Sequence, residues 1–257
     1  MSELAGLNAL VTGGGRGIGA AIAAALTDKG VRVTVLGRDE AALAARIQAK
    51  EAAAYIRADV TDPSGFEAIM TRIAAEGAVD ILVNNAGAAM SAPFLKTTNA
   101  DFQRMLEVNL LGPVIAARAV LPGMIARKFG RVVNITSAAV KAPIEVLGLS
   151  NGARTGLTGF VAGLSRKTVI ANVTINGLLP GPFDTDRLRG PVSKVDAEKR
   201  GITVDQLLAE RAKLNPAGRF GDPEEFGLAC AFLCGAKAGF ITGQNILLDG
   251  GAFPGTL

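Results

Sequence analysis

A glycine-rich segment near the N-terminus has the residue types and spacing of a phosphate-binding turn. It reads TGGGRGIG over residues 12–19 and lies between a short apolar run and an Ala-rich stretch of helical length. Glycines let backbone N–H groups approach a pyrophosphate, and the N-terminus of the following helix favours negative charge. The segment predicts a dinucleotide site, although a tight strand-to-helix turn without a ligand is the alternative. The residues expected to hold the phosphates are Thr12, Gly13, Arg16, Gly17, Ile18 and Gly19.

The end of the next apolar run bears on which dinucleotide would bind. The run reads VRVTVLGRD over residues 31–39, and Gly37 occupies the place where an acidic residue would accept hydrogen bonds from a free ribose 2′-hydroxyl. Arg38 follows, and with Arg16 it could bind a 2′-phosphate through charge-assisted hydrogen bonds. This pair predicts NADP(H) rather than NAD(H). The adjacent Asp39 weighs against the prediction, and both arginines could instead be solvated surface residues.

Short apolar runs that alternate with longer amphipathic stretches must position these residues. The stretches, such as Gly17–Asp28 and Glu40–Ala49, predict helices, and Asp39, Asp62 and Asp222 are expected to cap the starts of helices. Alternation of strand and helix implies right-handed crossovers and a parallel sheet with helices on both faces. No linker or internal repeat divides the chain, so the sequence predicts one doubly wound α/β Rossmann domain over residues 1–257. The predicted strands are Asn8–Val11, Arg32–Leu36, Ala54–Ala58, Ile81–Asn84, Arg131–Thr136 and Val173–Leu178.

Further short motifs follow along nearly the whole chain. They are DV at 59–60, NNAG at 84–87, ITS at 135–137, PG at 180–181 with Thr185, and ITGQNILLDGG near the end. Together with the GxxxGxG spacing of the glycine-rich turn, their order resembles the short-chain dehydrogenase/reductase family. The resemblance implies that Asp59 and Val60 hold the adenine and that Asn85, Ala86 and Gly87 form a wall of the cofactor cleft. It also implies that Pro180, Gly181 and Thr185 cover the nicotinamide.

The resemblance also implies catalytic positions, and here the chain departs from the family. Its members reduce carbonyls or oxidise alcohols with an Asn, a Ser and a Tyr and Lys spaced as YxxxK. Asn109 and Ser137 match the first two, but the YxxxK register runs from Ser150 to Arg154, and Tyr55 lies too far away to supply the phenol. By resemblance Ser137 would polarise the substrate carbonyl and Asn109 would hold a proton relay. The alternatives are a strand-end cap for Ser137 and a structural role for Asn109.

The replaced pair changes the proton chemistry that can be expected. A serine hydroxyl is a much weaker acid than a phenol, whose pKa is about 10. Arg154 keeps the positive charge and could still hold the nicotinamide ribose, but a guanidinium does not exchange protons at ordinary pH. The candidate substitutes are Lys141, Glu145 or a water held by Ser150 and Asn151. Lys141 is favoured because a desolvated lysine can lose its charge near neutrality, although it could simply be an exposed loop lysine.

These features favour an NADP(H)-dependent oxidoreductase that interconverts a small-molecule ketone and a secondary alcohol with an atypical proton donor. The alternative is a non-catalytic NADP(H)-binding sensor or partner subunit that kept the cleft after losing proton transfer. Residues 182–215 are charged and weakly periodic, so we expect an irregular, mobile lid over the substrate. The resemblance further implies a homotetramer or homodimer. The substrate is not encoded in any motif.

Composition argues against several other classes of protein. The chain has no histidine, which removes Ser-His-Asp triads and His-rich metal sites, and no metal is expected. Cys230 and Cys234 lie one helical turn apart and are expected to be reduced core residues. The net charge of +4 comes without a basic run, so no nucleic acid partner is expected. The apolar stretch Asn109–Ala126 contains Arg118 and prolines, so no membrane span is predicted, and without a signal-like N-terminus we expect a cytoplasmic protein.

Overall fold

A parallel sheet forms the centre of the protein in the computed structural model, which describes residues 2–256. Within these residues the sheet has seven strands in the order β3-β2-β1-β4-β5-β6-β7. All neighbouring strands pair in parallel, which requires a crossover after each strand. The strands are β1 (Asn8–Thr12), β2 (Arg32–Gly37), β3 (Ala54–Arg57), β4 (Ile81–Asn84), β5 (Gly130–Ile135), β6 (Val173–Pro180) and β7 (Asn245–Leu248).

Helices cover both faces of the sheet, and several begin where the sequence places a capping residue. The side chains of Asp39, Asp62 and Asp222 each accept a backbone N–H at the start of a helix, as predicted. The helices are α1 (Gly17–Thr27), α2 (Glu40–Gln48), α3 (Pro63–Glu76), α4 (Asn99–Leu106), α5 (Gly112–Arg127), α6 (Gly148–Thr168), α7 (Pro191–Arg200), α8 (Val204–Leu214) and α9 (Pro223–Cys234).

The central strands are buried on both faces, which explains why most of their residues are apolar. Every residue of β4 and β5 is buried. On one face, α1 and α9 pack together around Ile22 and Phe226, and the free thiols of Cys230 and Cys234 lie in the same cluster, as predicted. On the other face, α3, α5 and α6 pack a second cluster around Met124. The described residues form a single doubly wound α/β domain, which confirms the predicted fold class.

The predicted strands are confirmed, with small shifts at their ends. β5 covers Gly130–Ile135 instead of Arg131–Thr136, because Gly130 already pairs with Val173 of β6. β6 continues to Pro180, where it pairs with β7. The family-like motif near the end of the chain contains β7, and α1 and α2 each end one residue earlier than predicted.

The prediction of an irregular segment over residues 182–215 is wrong. This region contains the helices α7 and α8. A capping box between Thr203 and Gln206 starts α8, and Leu207 and Leu208 are buried. Two buried leucines are too few to produce a visible period in the sequence, yet with a cap they are enough to fix a short helix on the protein.

The prediction that no segment could span a membrane also needs correction. By length and composition only, the helix over Asn99–Arg127 is long and apolar enough to cross a membrane. It joins α4 to α5 through a π-helical turn at Glu107–Leu111, Pro113 falls in the first turn of α5, and Pro122 is accommodated inside it. In its most apolar window, 56% of the residues are buried, and α5 packs on the sheet and on α3. Packing in the core accounts for the apolar composition of this helix.

Candidate active site

The strand order reverses between β1 and β4, and the glycine-rich turn lies at this point. In a doubly wound sheet, ligands bind in the crevice at the carboxyl ends of the strands beside such a reversal. Gly13 and Gly17 have positive φ angles of 65° and 52°, which residues with side chains rarely adopt. A Cβ atom on Gly19 would lie 2.2 Å from the Gly13 carbonyl oxygen. Backbone geometry and close packing therefore require glycine at all three positions.

Thr12 and Asn85 join the turn after β1 to the turn after β4. The Thr12 hydroxyl oxygen accepts the backbone N–H groups of Asn85 and Ala86, each at 3.0 Å. The Asn85 side-chain amide donates in return to the carbonyl oxygens of Thr12, at 3.1 Å, and Gly13, at 2.9 Å. The motifs predict both turns at the cleft, and these four hydrogen bonds fix their relative positions.

Two buried asparagines contact each other below the cleft, and one of them, Asn134, was missed by sequence reasoning. Asn84 and Asn134 are opposite each other in the paired strands β4 and β5. The buried Asn84 side-chain amide donates to the Asn134 side-chain oxygen at 2.9 Å. The sequence did contain a signal for this pair, because each of the apolar runs that form β4 and β5 has an asparagine near its end. Only the strand pairing shows that the two side chains meet.

The N-terminus of α1 lies at the same crevice, and no side chain in the described part of the chain caps it. Arg16 occupies the cap position without a side-chain capping hydrogen bond, and the first turn contains no acidic residue. The first N–H groups of a helix need acceptors, and the helix dipole favours a negatively charged one. Gly17, Ile18 and Gly19 of this first turn line a cavity of about 380 Å³, the inner cavity. The uncapped N-terminus and the bare glycine turn fit a pyrophosphate.

The structure brings Arg16 and Arg38 to one further cavity of about 590 Å³, together with Asp39. Each arginine has a carboxylate neighbour: Arg16 forms an ion pair with Asp39, and Arg38 lies 3.9 Å from Asp59. The hydrogen bond from the Ala42 backbone, and then the charge of Arg16, hold the pKa of Asp39 below its usual value. The two arginines thus line one cavity, and Asp39 is already paired with Arg16.

Asp59 and Val60 line a neighbouring cavity of about 190 Å³ just after β3. The backbone N–H and the hydroxyl of Thr61 donate to the Asp59 carboxylate at 2.9 and 2.8 Å. Burial acts to raise the pKa of Asp59, but these hydrogen bonds and the charges of Arg38 and Arg104 outweigh it, so the pKa is lowered. Arg104 also lines this cavity and was not predicted. It reaches the site from α4, and no local motif marks it.

Asn109 holds the segment that follows the NNAG motif. It is buried in the π-helical turn between α4 and α5. Its side-chain amide donates to the carbonyl oxygens of Ala88 and Met105 at 3.0 and 3.1 Å, and its side-chain oxygen accepts the Ala88 backbone N–H at 3.2 Å. All three hydrogen bonds join side chain to backbone, so Asn109 fixes the chain at Ala88.

Ser150 and Arg154 lie one turn apart on α6 and form a buried pair. Arg154 Nε donates to Ser150 Oγ at 3.1 Å, Nη2 donates to the Ala88 carbonyl oxygen at 3.4 Å, and Nη1 donates to the Thr136 carbonyl oxygen. Only 7% of Arg154 is exposed. Burial, and to a smaller extent the charge of Arg187, lower the pKa of Arg154 to about 10. The guanidinium is therefore still a cation at neutral pH.

Arg154 and the segment after β6 line the inner cavity opposite the glycine-rich turn. Pro180, Thr185 and Arg187 belong to this lining. The Thr185 methyl carbon lies 3.4 Å from the position that a Cβ atom of Gly17 would take. Gly181 is not part of the lining, because it pairs with β7 through its N–H. Sequence reasoning missed four of the lining residues, namely Ile135, Thr136, Asp186 and Arg187.

The structure does not place Ser137 and Lys141 in the lining of the inner cavity. Ser137 follows Thr136 directly, and its Oγ accepts the backbone N–H of Ala139 at 3.1 Å. Lys141 Nζ lies 5.9 Å from the ring centre of Phe253. Among the described residues, neither Ser137 nor Lys141 lines the cavity. Tyr55 lies in β3, at the opposite edge of the sheet order from β6 and β7.

The fold and the cleft define the class of protein. A doubly wound parallel sheet carries a glycine-rich turn at the reversal of strand order, and the family model described as enoyl-(acyl carrier protein) reductase matches residues 13–252. The chain belongs to the short-chain dehydrogenase/reductase family.

Individual relatives within the family are similar over almost their whole length. The 3-oxoacyl-[acyl-carrier-protein] reductase of Vibrio cholerae is 34% identical over 255 residues, which are 98% of this chain and 99% of that protein. The acetoacetyl-CoA reductase of Shinella zoogloeoides is 36% identical over 253 residues, covering 95% of this chain and 98% of that protein.

Two solved structures show the same fold with a nucleotide bound. The 3-oxoacyl (acyl-carrier-protein) reductase of Agrobacterium tumefaciens C58 with NADP bound has a TM-score of 0.85 and 35% identity, covering 96% of this chain and 94% of that one. The L-sorbose reductase of Gluconobacter frateurii in complex with NADPH and L-sorbose has a TM-score of 0.90 and 26% identity, covering 96% of each chain.

Proposed function

We propose that the protein is an NADP(H)-dependent oxidoreductase that interconverts a ketone and a secondary alcohol. The observation that carries this proposal is a cleft that runs from Arg38, past the uncapped N-terminus of α1, to the buried Arg154. NADP(H) is the cofactor rather than NAD(H), and the relatives with bound NADP and NADPH support this choice. The relatives named above are all reductases.

The chain's own residues divide the work of holding this cofactor. The glycine-rich turn and the first turn of α1 hold the pyrophosphate, and Arg16 and Arg38 hold the 2′-phosphate. Asp59 and Val60 bind at the adenine end, while the segment Pro180–Thr185 covers the nicotinamide end. When bound in its reduced form, the cofactor supplies the hydride.

We further propose that the chain is a divergent family member whose Ser150 and Arg154 stand in place of the Tyr and the Lys. The Ser137 hydroxyl accepts a hydrogen bond from Ala139 and keeps its own hydrogen to donate to the substrate carbonyl. The Arg154 cation stabilises the negative charge that develops on the carbonyl oxygen. A water held at Ser150 then returns a proton from solvent. The ketone thus gains one hydride and one proton, which gives the secondary alcohol.

Lys141 is the second candidate for the proton donor in this scheme. It follows Ser137 in the same loop, but its ammonium group lies beside the Phe253 ring. To act as a donor it would have to leave that ring and enter the inner cavity. Among the described residues Ser150 does not line that cavity either, but it is hydrogen-bonded to Arg154, which does, and a water held there is our preferred donor.

We propose that residues 182–215 act as a lid over the substrate. Thr185 and Arg187 in this segment line the inner cavity, and α7 contacts α8 beyond them. Arg211 of α8 joins the two helices by donating to Ser193 at 3.0 Å and to Asp196 at 2.7 Å. The pair α7–α8 is therefore expected to move as one body when the lid opens.

We also propose that the protein is a homodimer or homotetramer. Gly159 and Gly163 on α6 face open space, and Phe160 between them is 46% exposed. Small residues beside an exposed aromatic ring permit a second helix to approach closely. Sedimentation or light scattering of the purified protein measures the oligomeric state directly.

The alternative function is a non-catalytic NADP(H)-binding sensor or partner subunit. One observation favours it: neither Ser150 nor Arg154 can replace a phenol as a general acid of ordinary strength. Losing a general acid typically costs about 10²- to 10⁴-fold in rate, which leaves room for slow catalysis as well as for none. Measured turnover separates the two functions.

The experiment is an NADPH fluorescence titration followed by turnover against ketones, diketones and ketoesters. Saturable binding with turnover supports the oxidoreductase, and binding without turnover on any carbonyl compound supports the non-catalytic alternative. The double variant Ser150→Tyr/Arg154→Lys is the matched control, because it installs the family's own pair. If that variant gains turnover while the parent has none, the parent has lost only proton transfer. If NADPH does not bind, both functions are wrong.

A further inference from the structure

The inner cavity contains more positive than negative charge. Four charged residues line it: Arg16, Arg154, Arg187 and Asp186. Arg16 is already neutralised by its ion pair with Asp39. Among residues 2–256, no ion pair includes Arg154 or Arg187. Two unpaired arginines therefore face a single aspartate.

The hydrogen bonds of Arg154 do not neutralise its charge. A guanidinium has five N–H donors, and here three are used by Ser150 Oγ and the carbonyl oxygens of Thr136 and Ala88, all of which are uncharged. The side chain is buried, so water screens this charge poorly. Its charge persists at neutral pH, because a pKa of about 10 leaves the guanidinium protonated. A permanent, poorly screened cation is thus built into this wall of the cleft.

The strand order indicates which end of a dinucleotide would meet this cation. Arg38 and Asp59 follow β2 and β3, on one side of the reversal between β1 and β4. Thr136 and Pro180 lie at the ends of β5 and β6, on the other side. A dinucleotide binds across the reversal with its pyrophosphate at the helix N-terminus between the two sides. If the 2′-phosphate end binds at Arg38, the nicotinamide end is held in the cavity that contains Arg154.

We propose that Arg154, with Arg187, makes the cleft selective for the reduced cofactor, so that NADPH binds more tightly than NADP⁺. The nicotinamide ring is neutral when reduced and carries one positive charge when oxidised. The 2′-phosphate, pyrophosphate and adenosine are the same in both forms, so their contacts do not alter the preference. The inference rests on the proposed cofactor and specifies how the redox state of that cofactor is recognised.

The size of the effect follows from like-charge repulsion in a partly buried site. Two unit charges several ångströms apart at an effective dielectric constant of about 20 change a binding constant by roughly tenfold or more. We expect NADPH to bind about tenfold more tightly than NADP⁺. In the oxidoreductase this preference promotes loading with the hydride donor. In a non-catalytic protein, the same preference would make the cleft a receptor for NADPH rather than NADP⁺.

The test compares the dissociation constants of the two cofactor forms without any turnover. NADPH binding is followed by its fluorescence, and NADP⁺ binding by its displacement of NADPH. Arg154→Met removes the charge and keeps a long side chain, whereas Arg154→Lys retains the charge and is the matched control. We expect the roughly tenfold preference to fall to about twofold or less in Arg154→Met and to persist in Arg154→Lys.

Two results would overturn the inference. One is equal affinity of the parent protein for NADPH and NADP⁺, and the other is an unchanged preference in a folded Arg154→Met variant. If that variant does not fold, Arg187→Gln replaces it, since Arg187 is exposed and its loss should lower the preference about two- to threefold. An unchanged preference in Arg187→Gln would count against the inference in the same way. Failure of both cofactor forms to bind the parent protein would instead refute the proposed function.

Discussion

Replacing Thr12 with valine tests whether its hydroxyl joins the two turns of the cleft. Valine keeps the shape of threonine and removes the oxygen that accepts the backbone N–H groups of Asn85 and Ala86. Leaving a buried donor without a partner costs about 1–3 kcal/mol. Asn85 and Ala86 are only partly buried, so we take the lower part of that range for each. The free energy of unfolding should fall by about 2–4 kcal/mol.

The assay measures stability and cofactor binding on the same samples. For a chain of this size, each kcal/mol lowers the melting temperature by about 2–4 °C, so Thr12→Val should melt roughly 5–15 °C below the parent. Thr12→Ser is the control, because it keeps the acceptor and loses one buried methyl group, worth about 1 kcal/mol. Asn85 and Ala86 line the inner cavity, so we expect NADPH affinity to fall about tenfold in Thr12→Val.

One result would refute this reasoning. If Thr12→Val is as stable as Thr12→Ser and binds NADPH equally well, then the hydroxyl does not position the second turn. A loss of stability with unchanged affinity would show that the contact supports the fold alone. The comparison of the two variants separates the hydrogen bonds from the packing of the Thr12 methyl group.

Three other substitutions have expected outcomes that can be measured in the same way. Gly19→Ala should abolish NADPH binding and lower the melting temperature, because the new Cβ atom would lie 2.2 Å from the Gly13 oxygen. Asp39→Asn keeps a good cap for α2 and frees Arg16, so NADPH affinity should rise several-fold while NADH affinity does not; equal changes for both cofactors would contradict a role at the 2′-phosphate. Glu225 has a pKa of about 2, below its unfolded value of 4.5, so its contribution to stability is present above pH 4.5 and is lost as the pH falls towards 2. Glu225→Gln should therefore lower the melting temperature at pH 7 and have little effect near pH 2, and an equal effect at both would be inconsistent with this titration.

The segment proposed as a lid shows where a pattern in the sequence was too weak to predict structure. Residues 182–215 have few apolar positions, yet α7 and α8 form there. Helix α8 is fixed by a cap at Thr203 and by the burial of Leu207 and Leu208. The long helix through α4 and α5 is the opposite case, because its Arg118 and prolines led to the prediction that it could not span a membrane, yet the helix is long and apolar enough by length and composition. In both cases tertiary packing decided the outcome.

The residues proposed for catalysis show the same limit at the level of side chains. Sequence reasoning gave Arg154 a positive charge and favoured Lys141 as the proton donor. The structure buries Arg154 without a carboxylate partner among the described residues, and it places Lys141 beside Phe253. Burial and pairing depend on residues far apart in the chain, such as Thr136 and Ala88, so no local motif could reveal them.

The sequence alone determined the fold class, the glycine-rich turn and the order of the motifs. These follow from local periodicity and from glycines that no other residue can replace at a tight turn. Tertiary structure alone decided that Thr12 joins the two turns, that Arg16 is paired with Asp39, and that Arg154 is a cation in the cleft without an ion-pair partner among residues 2–256. The physical reason is that charge and hydrogen bonding act between neighbours in space, and the strand pairing determines which residues become neighbours.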